Sequence, residues 1–555
     1  MLIPKVALWV SEGILCQGAQ HLSVAASVPL NKLYYFDRAM SSAVQSHANL
    51  NAASGAEASN LSEELTSKLK DPSLLHAAGL IDGKWLGAWN SATYEVKNPA
   101  TGKVLAKMPL MRADETRAAV AAASAMFPQW KALTAKERAA YLRRWHDLIL
   151  QHSDDIATIM TLECGKPLGE AKAEIVGGAA SVEWFAEEGR RITGDVLETV
   201  GRDRRMLVIK QPVGVVAAIT PWNFPMSMIT RKIAPALAAG CTVVLKPAEL
   251  TPLTAVALAE LADRAGIPDG VINMVMGDAP SIGTEMVANE VVRKIGFTGS
   301  TAVGKLLMQG AASTVKRVSL ELGGNAPLIV FGDADLELAA KGAVMSALRN
   351  AGQTCICANR VFVHSSIYDK FSEMVTDRVN KLKIGDGLEA GVTMGPLISK
   401  PGLDKVIAHV ADAVSKGAQI MSGGKTPGLA APYDAGTFFE PTVLKGASID
   451  MRCFSEETFG PLLPLFKFDT DDEVVMMANK TEYGLAAYFY TKDLARAWRI
   501  AEELEYGMIG LNEVAMTSEV APFGGVKQSG LGREQSKYGL AEFLDIKYIC
   551  MGLGS

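Results

Sequence analysis

From residue 213 onward, short β-branched runs alternate with amphipathic helical stretches, and this alternation constrains the fold more than any other feature. Val213-Gly-Val-Val-Ala-Ala-Ile219 reads as a buried strand, residues 228–239 as a helix, and Thr242-Val-Val-Leu-Lys246 as the next strand. A helix over 253–265, a strand over 271–276, a helix around 282–288 and a strand at 294–297 continue the pattern. Upstream, residues 114–150 read as helices, with Ala119, Ala123, Phe127 and Trp130 three to four apart. Strand, helix and strand in succession predict βαβ units, because parallel neighbours need a crossover long enough to return the chain. The same texture returns over 326–546, so two α/β domains are expected.

Composition permits such sheets and removes other classes. The chain has 555 residues, 49% of them hydrophobic and 21% charged, enough to bury extended cores. Its net charge is -5, with no Lys/Arg tract, which leaves no footprint for nucleic acid. The longest apolar stretches, such as 236–245, fall short of the ~20 residues a bilayer span needs. Seven cysteines, mostly scattered, do not make a secreted disulfide framework. Cys355 and Cys357 form the one close pair, and no second pair or suitably spaced histidine completes a metal set. Residues 1 to about 60 are rich in Ala, Ser and Asn, with only Lys5, Lys32 and Arg38 as positive charges. That segment reads as a mitochondrial or plastid transit peptide, a disordered extension, or a start site placed too early.

Ligands of wound parallel sheets bind beyond the carboxyl ends of the strands. The residues found there are Thr220-Pro-Trp-Asn-Phe-Pro225, Lys246-Pro-Ala-Glu249, Gly277-Asp-Ala-Pro-Ser-Ile-Gly283 and Phe297-Thr-Gly-Ser-Thr-Ala-Val-Gly304. Glycines opening helices suit phosphate binding, and serve equally as turn residues. None of these loops is the G-x-G-x-x-G fingerprint. Residues 299–305 match the start of a Walker A loop, but Leu306 stands where Ser or Thr must hold magnesium. Glu249, at a strand end, suits ribose hydroxyls and would repel a 2′-phosphate, favouring NAD over NADP. A solvated glutamate at a helix start is the equal alternative.

A cluster with chemical potential follows: Ser319-Leu-Glu-Leu-Gly-Gly-Asn325 with Arg349-Asn-Ala-Gly-Gln-Thr-Cys-Ile-Cys357. With Pro221-Trp-Asn-Phe-Pro225, Phe297-Thr-Gly-Ser300, Leu320-Glu-Leu-Gly-Gly324, Gly352-Gln-Thr-Cys355 and Glu456-Glu-Thr-Phe-Gly-Pro461, the chain resembles the aldehyde dehydrogenase superfamily over residues 62–550. Ile229-Thr-Arg-Lys232, the run from Arg349 to Arg360, and the run from Pro522 to Arg533 resemble its succinate-semialdehyde branch most.

That resemblance implies two Rossmann-like α/β domains plus a small β oligomerisation element. Residues 62–193 and 213–323 would form the NAD-binding domain, 324–530 the catalytic domain, and 194–212 with 531–555 the oligomerisation element of a homotetramer or homodimer. It makes Cys355 the nucleophile and Glu321 the general base, with the Asn223 amide and the Cys355 N–H as oxyanion donors. Lys246, Pro247, Ala248 and Glu249 would hold the adenosine ribose, and Glu457 the nicotinamide ribose. Ile219, Thr220, Pro221, Trp222, Gly277, Gly283, Phe297, Thr298, Gly299, Ser300, Leu322 and Phe459 would line the rest of the cleft. NAD is the expected cofactor, NADP the less favoured one, and no metal is expected.

The substrate implied is succinic semialdehyde, its carboxylate held by Arg231, Arg349 and Ser518. Val514 departs from a glycine common in the branch, and is expected to reshape the mouth of the substrate tunnel. Some members of the branch are thought to close a reversible disulfide between positions matching Cys355 and Cys357. Glutarate semialdehyde, betaine aldehyde and broad aliphatic aldehydes remain alternatives, and the compartment is the mitochondrial matrix or the cytoplasm. A cysteine hydrolase would need a histidine base, which no recognisable motif supplies. A non-catalytic homologue would be expected to have lost Cys355 or Glu321.

Overall fold

The computed structural model describes residues 60–554, so nearly all of the N-terminal extension lies outside the described residues. Two wound sheets organise the rest. The first runs in the order Gly530–Leu531, Arg317–Glu321, Val292–Thr298, Val215–Ile219, Thr242–Lys246, Ile272–Met274, Gly79–Ile81, Lys84–Leu86. Its five central strands are parallel, and antiparallel strands close both edges. From Val215–Ile219 the chain winds outward to Thr242–Lys246 and Ile272–Met274, then returns to Val292–Thr298 on the other side. The order reverses there, and such a switch point opens a crevice at the strands' carboxyl ends.

The second sheet runs Gln419–Ser422, Thr442–Ala447, Leu462–Phe468, Ala358–His364, Ala326–Val330, Ala486–Tyr490, Met508–Leu511, all parallel except the first pair. Both sheets are buried on two faces at their centres, which explains why strands such as Val215–Ile219 and Ala486–Tyr490 are apolar without alternation. In Val215–Ile219, Val216 and Ala218 join one core while Val215, Ala217 and Ile219 join the other. Leu328 and Val330 likewise face one core of the second sheet, Ile329 and Phe331 the opposite one.

The expected elements over 213–297 are present with shifted ends. The helix is Ser227–Ala239, stopped by Gly240 at φ 100°, a left-handed closure glycine adopts without strain. The expected strand over 271–276 shortens to Ile272–Met274, because the Met276 carbonyl accepts from the Met111 N–H at 2.9 Å instead. Asp195–Leu197, Arg204–Pro212 and Leu544–Gly552 form a separate antiparallel sheet with a largely exposed surface, Val196 and Ile546 among its open residues. Among the described residues, no helix is long and apolar enough to cross a membrane.

Candidate active site

Two loops meet at the carboxyl ends of the first sheet. One leaves Val215–Ile219 and carries Asn223. The other joins the helix Leu336–Leu348 to the strand Ala358–His364 and carries Cys355. This second loop is tight, with Asn350, Ala351 and Gly352 left-handed in succession at φ 51°, 54° and 74°. A Cβ on Gly352 would stand 2.0 Å from the Gly460 carbonyl oxygen, so only glycine fits. Asn350 is fixed by its N–H to Glu170 Oε2 at 2.9 Å and its Nδ2 to the Asn223 carbonyl at 3.0 Å. Cys355 is thereby held on the wall of a cavity of about 200 Å³, which Arg231, Arg349 and Ser518 also line.

Asn223 is nearly buried and donates one amide hydrogen to the Gln353 carbonyl at 3.0 Å. An amide carries two, so the second is left for an oxyanion. Behind the loop, Lys166 Nζ donates to the Asn223 carbonyl at 2.8 Å, pairs with Glu174, and sits 4.0 Å from the Phe224 ring centre. Glu174 Oε1 accepts from the Met226 and Ser227 N–H groups at 3.0 and 3.1 Å. This fully buried pair locks the backbone that presents Asn223.

Glu321 ends the strand Arg317–Glu321, buried, with Oε2 unpartnered. Burial raises its carboxyl well above the usual range, Glu534 adds to this, and Lys232 and Arg231 oppose it. Lys232 Nζ bonds both Thr298 Oγ1 and Glu534 Oε1 at 2.5 Å, so Thr298, expected in the cofactor cleft, is also tied into this network. The Cys355 thiol is raised by burial and by Glu457 and Glu321, with Arg231 opposing.

Across the switch point, Lys246 Nζ donates to Glu249 Oε2 at 2.9 Å. Partial burial works against the Glu249 charge, but Lys246 outweighs it and holds the carboxyl below its usual value. Thr220 N–H is bonded to the Lys246 carbonyl at 3.1 Å, fixing Ile219, Thr220 and Pro221 beside Pro247 and Ala248. The helix Thr301–Ala311 opens at Ser300, whose Oγ accepts from the Val303 N–H. A Cβ on Gly299 would strike the Phe297 ring at 2.4 Å, and one on Gly304 would strike Leu322 at 2.4 Å. Trp222 and Phe459 meet edge to face at 5.5 Å. Glu457 Oε1 accepts from the Gly324 N–H at 3.0 Å, and burial pushes its carboxyl up to about 7. Gly277, at φ 125°, packs against the backbone of Leu110 and Met111; Gly283 lies in the helix Ala279–Ala288. Acceptor carboxylates at Glu249 and Glu457, with a helix N-terminus between glycine-lined walls, fit a dinucleotide.

Arg231 is nearly buried, with Nε and Nη1 lacking any hydrogen-bond partner; its guanidinium lies 4.5 Å from the Phe523 ring centre, and Nη1 makes a long ion pair with Glu534 Oε2 at 4.0 Å. Arg349 lies 5.1 Å from the Phe224 ring centre. Ser518 Oγ donates to Glu519 Oε2 at 3.1 Å. Val514 does not reach the cavity, contrary to expectation. It is buried in the core of the second sheet, because its isopropyl group fills space beside Gly342 and Tyr490. Cys357 is buried off the cavity wall, its thiol pushed up to about 12 by burial, and both it and Cys355 are free thiols. No cluster fit for a metal ion occurs among the described residues.

Lys166, Glu174, Gln353, Glu534 and Gln535 were not foreseen. Lys166 lies in the turn between the helices Ser153–Cys164 and Leu168–Glu188, and Glu174 follows Glu170 and Lys172, so neither stood out among its charged neighbours; Gln535 gave no signal either. It is held at φ 61° and ψ 176°, a region essentially reserved for glycine, at a cost on the order of 1–3 kcal/mol.

The model of the aldehyde dehydrogenase family matches residues 85–549. A succinate-semialdehyde dehydrogenase [NADP(+)] of Escherichia coli is 56% identical, over 88% of this chain and 100% of the relative. A glutarate-semialdehyde dehydrogenase of Pseudomonas aeruginosa is also 56% identical, over 87% and 99%. A mitochondrial succinate-semialdehyde dehydrogenase of Oryza sativa is 56% identical, over 87% and 91%. The crystal structure of an E. coli NADP-dependent enzyme superposes with a TM-score of 0.86 at 56% identity, over 88% of this chain and all of that one. With the motifs in order and the fold matched along nearly the whole described length, the chain belongs to the aldehyde dehydrogenase family.

Proposed function

We propose that the chain oxidises succinic semialdehyde to succinate with NAD. One observation carries this reading: a small cavity whose wall bears Cys355 together with two arginines, one of them with two buried donors that make no hydrogen bond. A free carboxylate at the far end of a short aldehyde answers those donors, and an uncharged substrate does not.

Arg231 favours the thiolate of Cys355 against the opposing carboxylates. The sulfur attacks the aldehyde carbon, and the new oxyanion is received by the second amide hydrogen of Asn223 and the Cys355 backbone N–H. NAD, bound between Glu249 and Glu457, would supply the hydride acceptor that turns this adduct into a thioester. Glu321 then takes a proton from water as the water attacks the thioester, and Cys355 departs as thiolate. Arg231, Arg349 and Ser518 hold the distal carboxylate throughout. Lys246, Pro247, Ala248 and Glu249 bind the adenosine ribose. Ile219, Thr220, Pro221, Trp222, Gly277, Gly283, Phe297, Thr298, Gly299, Ser300, Leu322 and Phe459 line the remaining cleft.

Glu249 supports NAD, although the E. coli relative is named for NADP(+). The P. aeruginosa relative supports glutarate semialdehyde as the second reading, at equal identity. The division into NAD-binding, catalytic and oligomerisation segments stays as expected from sequence, with the exposed third sheet as the contact of a homodimer or homotetramer. The O. sativa relative, named as mitochondrial, supports the mitochondrial matrix, and the bacterial relatives at equal identity support the cytoplasm. The reading is tested by NADH formation from succinic semialdehyde, glutaric semialdehyde, betaine aldehyde and butanal. The highest kcat/KM on succinic semialdehyde is expected; preference for an uncharged aldehyde would overturn it.

A further inference from the structure

His409 is fully buried on the helix Lys400–Ser415, whose inward face is otherwise Leu403, Val406, Val410 and Ala413. A leucine would fill such a position with no polar group to satisfy, so packing alone does not account for an imidazole. The ring faces the segment 456–461 and touches it twice. Nε2 lies 3.3 Å from Glu456 Oε2, and Nδ1 lies 3.1 Å from Thr458 Oγ1. Burial pushes the ring below its usual pKa, with Lys405 and Arg452 reinforcing and Glu456 opposing, so it carries no charge at neutral pH. Arg452 clamps Glu456 through two hydrogen bonds of 2.9 Å and holds its carboxyl down at about 2. That carboxylate can only accept, so Nε2 carries the ring hydrogen, and Nδ1 accepts from the Thr458 hydroxyl.

The two residues so gripped flank Glu457. Side chains alternate along an extended backbone, and Glu456 is extended at φ -105° and ψ 135°. With Glu456 and Thr458 turned to the helix, Glu457 turns away from it, and its Oε1 accepts from the Gly324 N–H at 3.0 Å. Lys405, one helical turn before His409, donates to the Glu457 carbonyl. Phe459 follows in the left-handed region at φ 56°, a strained conformation that only its surroundings can hold. The helix thus holds three consecutive residues of the segment, and His409 supplies two of the bonds.

We propose that His409 is a positioning residue: it fixes the direction of the Glu457 carboxylate, and through it the nicotinamide half of the cofactor, for hydride transfer. This rests on the reading of the chain as an NAD-linked dehydrogenase with Glu457 on the nicotinamide ribose. It extends the site to a buried side chain that touches neither cofactor nor substrate.

The test measures two activities of the full chain. NADH formation in the first turnover of succinic semialdehyde needs the nicotinamide in place. Hydrolysis of 4-nitrophenyl acetate without NAD needs only the cysteine chemistry, because an activated ester acylates the Cys355 thiolate with no hydride to remove. Thr458→Val deletes the hydroxyl and keeps the branched shape; His409→Leu deletes both bonds. At saturating NAD, each variant is expected to slow first-turnover NADH formation at least about tenfold, while ester hydrolysis stays within about twofold. The isotope effect from deuterium on the aldehyde carbon should rise in both. The double variant should be no slower than His409→Leu, since Thr458 acts through the bond that variant has already lost. An unchanged NADH rate in both variants, equal loss of the two activities, or further slowing in the double variant would overturn this inference alone. No NADH from succinic semialdehyde with the unmodified chain would instead overturn the reading beneath it.

Discussion

Arg231→Ala separates recognition of the substrate's carboxylate from everything else the site does. In the structure its Nε and Nη1 are buried and make no hydrogen bond, Nη1 having only a long ion pair with Glu534 at 4.0 Å, so a bound carboxylate gains two charge-assisted hydrogen bonds that nothing else in the protein was making. At about 1.5–3 kcal/mol each, less the desolvation of the carboxylate, their loss amounts to about 3–4 kcal/mol. At about 1.4 kcal/mol per decade, kcat/KM for succinic semialdehyde should fall roughly 100- to 1000-fold. Butanal has similar length and no charge, so no such term applies to it. A second effect must be kept apart. Arg231 also lowers the pKa of Glu321 and Cys355, and its removal moves the acid limb of the pH profile upward for every substrate. The comparison therefore belongs on the alkaline plateau, from full pH profiles of kcat/KM with saturating NAD. Stability should fall as well, since the fold forgoes the cation–π pairing with Phe523, about 0.5–2 kcal/mol, and the buried ion pair with Glu534, so Tm is measured beside the kinetics. Equal losses on both substrates at the plateau would refute the assignment and make Arg231 structural.

Glu249→Ser should improve kcat/KM with NADP by removing repulsion of the 2′-phosphate; equal NAD and NADP efficiencies in the unmodified enzyme would deny Glu249 that role. Peroxide should inactivate the enzyme reversibly by dithiothreitol, through a Cys355–Cys357 bridge, and Cys357→Ala should lose the reversibility; an unchanged variant ends the idea. Burial pushes the Glu163 carboxyl up to about 7 while it accepts from the Leu253 and Thr254 N–H groups. Its folded value lies above the unfolded one, so its stabilisation is present below about pH 4.5 and lost as pH rises through 7, about 3 kcal/mol in all. Glu163→Gln should flatten the fall in Tm between pH 5 and 8; an unaltered slope would show that Glu163 does not titrate there.

Much of this was legible in the sequence, for identifiable reasons. Val215–Ile219 and the Val243–Leu245 centre of the next strand are apolar without alternation because both sheet faces are covered, and such runs announce themselves. Glu249 was visible as a carboxylate at a strand end, whereas Asn223 and Cys355 were assigned through the resemblance of the motifs Pro221–Pro225 and Gly352–Cys355 to the family. The antiparallel strand Gly79–Ile81, next to the edge strand Lys84–Leu86, was less so, since three residues leave no periodicity to count. Val514 was misjudged for a related reason: its number placed it beside Ser518, but only the path of the chain shows that it turns into the core. Gln535 could not have been read at all, because a positive φ at glutamine is imposed by the surroundings and not by the residue.

The central claim is that Cys355 carries the substrate as a thioester that Glu321 then hydrolyses. The direct measurement is peptide mass spectrometry on Glu321→Gln enzyme, quenched after one turnover of succinic semialdehyde with NAD. The account predicts one equivalent of NADH in a burst and a succinyl group on the peptide bearing Cys355, absent from the Cys355→Ala variant. A burst with the acyl group on another residue, or NADH formation undiminished in Cys355→Ala, would contradict it.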